Sequence, residues 1–159
     1  MEKPLVVILM GSKADLAHCQ KIAEACGEFG LESVLRVGSA HKTPEHAIKL
    51  LAAYEADPRP KVYITVAGRS NALSGFTDGS VSAPVIACPP ASDLFGGADI
   101  YSSLRMPSGV APAVVLEPAN AALLAAKILG LVDAGIRAAV DRSRKQAADK
   151  ILEADQSIR

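Results

Sequence analysis

The feature that most constrains this chain is the run Leu-Val-Val-Ile-Leu-Met at 5–10, in which no polar residue interrupts the apolar ones. A strand with one wet face alternates apolar and polar residues, so an unbroken run fits a strand buried on both faces of a parallel sheet. A helical pattern follows it. From Ala14 to Phe29 the residues Leu16, Cys19, Ile22, Ala23 and Cys26 recur three or four apart, and Gly30 stands where a helix C-cap belongs. The segment 33–39 reads as a second strand. Thr43 as N-cap, Pro44 at the first helical position and Glu45 in the first turn then predict a helix to about Ala56, broken by Asp57-Pro58-Arg59-Pro60. The alternation continues with strands at 61–68, 84–90 and 113–117, a helix from about Asn71, an Ala-rich helix at 120–131 and a charged helical tail from Asp133 to about Asp155.

Parallel strands need crossovers, and right-handed crossovers cover both sheet faces, so the expected class is α/β: a three-layer αβα sandwich. With 159 residues there is enough chain for one ordinary domain and too little for two. We expect a single domain over 1–159, with the sandwich at about 1–132 and an extra C-terminal helix at about 133–156. Seventeen Lys+Arg balance seventeen Asp+Glu, which removes the electrostatic basis for nucleic-acid binding. Aromatic residues make up 4% and there is no Trp, so no stacking platform for bases is expected either. No apolar run approaches the ~20 residues of a membrane span, and the run at 5–10 lacks the basic lead and cleavage site of a secretory signal. The expectation is a cytoplasmic protein with no membrane partner. Cys19, Cys26 and Cys88 show no CxxC or Cys/His spacing, so they read as small, reduced, buried side chains, with Cys88 the only one expected near a site.

In such a sandwich ligands bind beyond the carboxyl ends of the strands. Four loops with unusual residues fall there: Gly11-Ser12, Ser39-Ala40-His41-Lys42, Gly68-Arg69-Ser70-Asn71 and Pro89-Pro90. GSKAD at 11–15 puts Ser12 and Asp15 at a helix start, where an anion is favoured, although a simple capped helix would look the same. It is neither a Walker A loop nor a GxGxxG turn. SAHKTP at 39–44 offers a histidine, a cation and a hydroxyl, which can bind phosphate and move a proton together; a helix start with His41 and Lys42 in solvent is the alternative. AGRSNALSG at 67–75 sets a glycine and polar residues at a strand end, and either Ser70 or Asn71 could serve as N-cap. His18 and His46 fall inside predicted helices and read as surface residues. The stretch 99–109 is either a lid or a cover for the sheet edge, with Tyr101, Leu104 and Met106 as its apolar feet.

Together GSKAD, SAHKTP, AGRSN, the CPP at 88–90, SSLRMPSG and NAALLAAKILG occur in an order and spacing that closely resemble the PurE family of purine biosynthesis, over essentially the whole chain. Lys42, and GRSNALSG at 68–75 in place of a histidine-bearing segment, resemble its class II branch, the phosphoribosylaminoimidazole carboxylases. The resemblance implies a flavodoxin-like, doubly wound parallel sheet and homo-oligomers, tetramers or octamers. It implies carboxylation of 5-aminoimidazole ribonucleotide by carbon dioxide without ATP, biotin or metal, hence no cofactor. By the same resemblance Ser12, Ser39 and Lys42 bind the phosphate, Asp15 the ribose hydroxyls, and His41 handles the proton, while Gly68, Ser70 and Asn71 border the carbon dioxide pocket. The class I mutase, which takes N-carboxyaminoimidazole ribonucleotide, is the alternative activity. A flavodoxin-like nucleotide-binding module would need aromatics at the loops, where only Phe76, Phe95 and Tyr101 are available. A phosphorelay receiver would need acidic residues that Met10-Gly11 and Gly68 do not provide.

Overall fold

The structure is a computed structural model and describes residues 3–158. Strands β1 (Leu5–Met10), β2 (Glu32–Val37), β3 (Lys61–Val66), β4 (Val85–Ala87) and β5 (Ala113–Val114) form one sheet in the order β2-β1-β3-β4-β5, every pair parallel. Helices α1 (Leu16–Glu28), α2 (Pro44–Glu55), α3 (Ala72–Asp78), α4 (Tyr101–Leu104), α5 (Pro118–Leu129) and α6 (Ala134–Ser157) complete the α/β architecture expected from the sequence, with the flavodoxin-like strand order.

Alternation along β1 assigns the layers. Val6, Ile8 and Met10 pack with α1, α5 and the start of α6, whereas Leu5, Val7 and Leu9 pack with Leu50 and Leu51 of α2 and Leu73 of α3. All six β1 side chains are buried because strands flank β1 on both sides and helices cover both faces. Strand β2 lies at the sheet edge, and its side chains are half-buried or exposed, Val37 at 45%. On α5 the buried stripe is Ala121, Ala122, Ala125 and Ala126, and these small residues let that helix lie close against α1.

Element boundaries differ from the sequence reading where local chemistry intervenes. A 3-10 turn at Lys13–Asp15 precedes α1, which therefore begins at Leu16 rather than Ala14. Its end follows expectation: Gly30 adopts φ 73°, its N–H bonds to the Gly27 carbonyl, and the Leu31 N–H reaches the Cys26 carbonyl. That pairing is the Schellman motif. Strand β4 has three residues rather than seven, because Pro84, Pro89 and Pro90 cannot donate to a ladder. Strand β5 keeps two residues, limited by the short partner at its side. Cys19, Cys26 and Cys88 are buried and unpaired. Among the described residues no helix is long and apolar enough to cross a membrane.

Candidate active site

The ladder does not stop where the strands end, and this brings the loops together. The Gly11 N–H bonds to the Val66 carbonyl at 2.9 Å and the Gly38 N–H to the Met10 carbonyl at 2.9 Å, so the turns after β1, β2 and β3 leave the sheet side by side. The Cys88 N–H to the Thr65 carbonyl and the Val115 N–H to the Ala87 carbonyl extend the row across β4 and β5. Every loop singled out from the sequence therefore opens on one edge.

On the β1–β2 side the arrangement is exposed and built from tight turns. Ser12 accepts from the Ala14 N–H at 3.2 Å and caps the 3-10 turn rather than α1. Asp15 occupies the N-cap position of α1 without a capping bond; burial raises its carboxyl above the ordinary value, opposed by the nearby His18. Ser39 organises the next turn, its Oγ accepting from the Lys42 N–H at 3.1 Å and its own N–H donating to Thr43 Oγ1 at 3.0 Å. Thr43 does stand at the N-cap of α2, but its hydroxyl turns back to Ser39 and does not cap the helix. This closed turn holds His41 and Lys42 outward, both exposed, and no described residue hydrogen-bonds to the His41 ring.

On the β3–β5 side lies a cavity of about 370 Å³, walled by Ala67, Gly68, Pro89, Pro90, Ile100 and Leu116 with the carboxylates Asp99 and Glu117. Of the residues proposed from the sequence, Gly68 alone lines it; Ser12, Asp15, Ser39, His41 and Lys42 stand on the neighbouring loops. A Cβ on Gly68 would meet Pro90 Cγ at 3.4 Å, so glycine permits this close approach of two loops. Arg69 next to it has φ 60°, a left-handed conformation that costs a non-glycine residue roughly 1–2 kcal/mol. Arg69 and Ser70 are exposed, whereas Asn71 is 2% exposed with its N–H, Oδ1 and Nδ2 all engaged. Its Oδ1 accepts from the Ser74 N–H at 3.1 Å and so caps α3, its Nδ2 donates to Ser103 Oγ at 2.9 Å, and its N–H donates to Ser102 Oγ at 2.9 Å.

The structure departs from the sequence expectation at His18 and in the 99–109 segment. His18 is not a surface residue: it is half-buried, its Nε2 donates to the Cys88 carbonyl at 3.2 Å, and it lies 3.5 Å from Cys88 Sγ. Burial holds this imidazole below its ordinary value, with the Cys88 carbonyl opposing. The signal was present, since His18, Ile22 and Cys26 are four apart on one helix face. His46 is exposed as expected and donates to the Val37 carbonyl at 3.2 Å. The second departure is at 99–109, where Tyr101 and Leu104 point outward at 63% and 55% exposure. The segment stands instead on Ser102, Ser103 and Met106, whose Sδ is 2.9 Å from where a Cβ of Gly75 would lie. Cys88 is inert as a nucleophile: burial pushes its thiol up to about 12, and it donates to the Leu116 carbonyl at 3.6 Å.

The chain is similar to known proteins over nearly its whole length. It is 59% identical over 157 residues to a phosphoribosylaminoimidazole carboxylase of Treponema denticola, covering 99% of both chains. It is 54% identical to that of Archaeoglobus fulgidus, covering 96% of this chain and 84% of the other. The crystal structure of Treponema denticola PurE superposes with a TM-score of 0.97 at 58% identity, over 99% of both chains. A model of the family described as AIR carboxylase matches residues 5–150, which takes in all five strands and every loop of the edge just described, and the chain therefore belongs to that enzyme family, the PurE carboxylases.

Proposed function

We propose that this chain is a phosphoribosylaminoimidazole carboxylase of the class II type, joining carbon dioxide directly to carbon-4 of 5-aminoimidazole ribonucleotide without ATP. The broader statement, AIR carboxylase function in purine biosynthesis, follows from the family and the close relatives. The observation that carries the finer reading is the closed 39–43 turn, which presents His41 and Lys42 at the sheet edge beside the Ser12 turn.

The ring amine of the substrate makes carbon-4 enamine-like, so the protein need not activate either reactant. Carbon-4 supplies the electron pair of the new C–C bond, and one C=O pair of carbon dioxide moves onto oxygen to give a carboxylate. The carbon-4 proton then leaves and aromaticity returns. His41 is assigned to that proton, being exposed at the edge and free of hydrogen bonds to the described residues. Ser12, Ser39 and Lys42 are assigned to the phosphate, where two turn starts and an ammonium can share one anion, and Asp15 to the ribose hydroxyls. Gly68, Ser70 and Asn71 are assigned to the carbon dioxide side, Gly68 by lining the cavity and Asn71 by fixing the turn. Carbon dioxide and the substrate's developing carboxylate call for neutral donors rather than a second base. Segment 67–75 contains no histidine, which supports carbon dioxide as co-substrate over carboxylate migration.

Self-association belongs to the same reading. From Arg144 to Ile158 every described residue of the C-terminal helical segment is exposed, among them Ile151 and Leu152 at 72% and 60%, as expected of a helix that packs against a second copy.

The test is an ATP-free assay with the ribonucleotide and bicarbonate. Turnover should begin with a lag that carbonic anhydrase abolishes, because bicarbonate must first dehydrate. Absence of turnover without ATP would overturn the proposal.

A further inference from the structure

The long connection between β4 and β5 reaches the proposed carbon dioxide loop through Ser102 and Ser103, the two serines that open the SSLRMPSG motif and to which no role has been given so far. Ser103 is 1% exposed, and its Oγ accepts from Asn71 Nδ2 at 2.9 Å. Ser102 Oγ accepts from the Asn71 N–H at 2.9 Å and donates to the Asp99 carbonyl at 2.7 Å, which ties the same loop to the turn that walls the cavity. Met106 fills the notch at Gly75 on α3, and the Ala111 N–H bonds to Asp78 Oδ2 at 2.8 Å, so this connection rests on α3 at several points.

What these bonds hold is a turn that would not keep its shape alone. Arg69 sits at φ 60° without a glycine's freedom, and Arg69 and Ser70 are exposed. Upstream the turn continues from β3 and is hemmed by Pro90, whose Cγ a Cβ on Gly68 would meet at 3.4 Å; downstream it runs into the buried Asn71. A residue kept in a sparsely populated conformation persists only where its surroundings determine it.

We propose that Ser103 and Ser102 are positioning residues for the reaction: through Asn71 they set the conformation of the 68–70 turn, and with it the fit of carbon dioxide against the ring. This rests on the assignment of that turn to the carbon dioxide side. Neither serine touches substrate. Their loss should leave the phosphate and ribose contacts on the β1–β2 side as they are.

Two variants and two readouts test it. In Ser103→Ala, and separately in the less buried Ser102→Ala, trypsin should cut after Arg69 about fivefold faster, a factor typical of one lost hydrogen bond, while cutting after Lys13 in the exposed turn on the β1–β2 side is unchanged. The same variants should raise the KM for carbon dioxide about fivefold and leave the KM for the ribonucleotide within about twofold, a split that general destabilisation does not produce. Wild-type rates in both readouts for both variants would overturn the proposal. So would a loosened turn with an unchanged carbon dioxide KM. A wild-type protein that fixes no carbon dioxide would sink the assignment of the turn instead, and trypsin would still report whether the serines hold it.

Discussion

Replacing His18 by leucine removes a donor from the interior while keeping roughly the side chain's bulk, and its cost can be worked from the contacts. Cys88 is fully buried, and His18 Nε2 at 3.2 Å is the donor that its carbonyl finds. Leaving a buried acceptor without a partner costs about 1–3 kcal/mol. Leucine at a half-buried position returns about 1 kcal/mol of apolar burial. His18→Leu should therefore destabilise the fold by about 0–2 kcal/mol near neutral pH, centred on about 1 kcal/mol, against the about 5–15 kcal/mol that holds a domain. The dependence on pH has a definite sign. Burial, partly offset by the Cys88 carbonyl, holds the folded imidazole below its ordinary value of 6.5, so the unfolded chain takes up a proton first as pH falls. The stability contributed by neutral His18 is complete above that value and is lost as pH drops from 6.5 toward the lowered one. Asp15 runs the other way, burial having raised it above 3.8, but both proteins carry it. Urea unfolding of both proteins at pH 7.5 and 5.5, at one protein concentration, should show the gap between them narrowing at the acid pH. A leucine variant more stable than wild type at pH 7.5, or a gap that widens on acidification, would rule out this role for His18.

Three further outcomes are expected from the site as assigned. His41→Asn should keep the fold and ribonucleotide binding while lowering turnover by roughly two or more powers of ten, measured as the initial carboxylation rate; a rate within about threefold of wild type would remove His41 from proton transfer. Lys42→Ala should weaken binding of the ribonucleotide far more than of the corresponding nucleoside by calorimetry, and equal losses would show that Lys42 does not read the phosphate. Light scattering should give a mass several times the 16.5 kDa of one chain, with Ile151→Glu combined with Leu152→Glu lowering it, whereas a monomer at micromolar concentration would contradict packing through the exposed helix.

How far the fold could be read in advance depended on where each element draws its stability. Strand β1 was legible because burial on both faces leaves an unbroken apolar run, and the end of α1 because Gly30 alone suits a left-handed cap. Strand β4 was overextended because PVIACPP is apolar throughout, while its prolines end the ladder after three residues. At the site, Ser12, Ser39 and His41 stand on turns whose composition announces them. Ser102 and Ser103 stood in the SSLRMPSG motif without a legible role: what they do depends on Asn71, some thirty residues away in sequence, and only the folded chain brings the three together. His18 was misplaced for a different reason, since a histidine in a charged helix looks like surface until its four-residue spacing to Ile22 and Cys26 is given weight.

The source of the new carboxyl carbon separates direct carboxylation from carboxylate migration. Wild-type protein should be given N-carboxyaminoimidazole ribonucleotide, unlabelled, in buffer containing isotopically labelled carbon dioxide and carbonic anhydrase, and the 4-carboxy product analysed by mass spectrometry. If the 67–75 turn borders a pocket for free carbon dioxide, product should form no faster than the unstable substrate releases aminoimidazole ribonucleotide, and its carboxyl carbon should carry the label of the dissolved gas. Rapid conversion with the original, unlabelled carbon retained would rule out free carbon dioxide as co-substrate, because it would mean that the carboxyl group migrates from nitrogen to carbon without leaving the site.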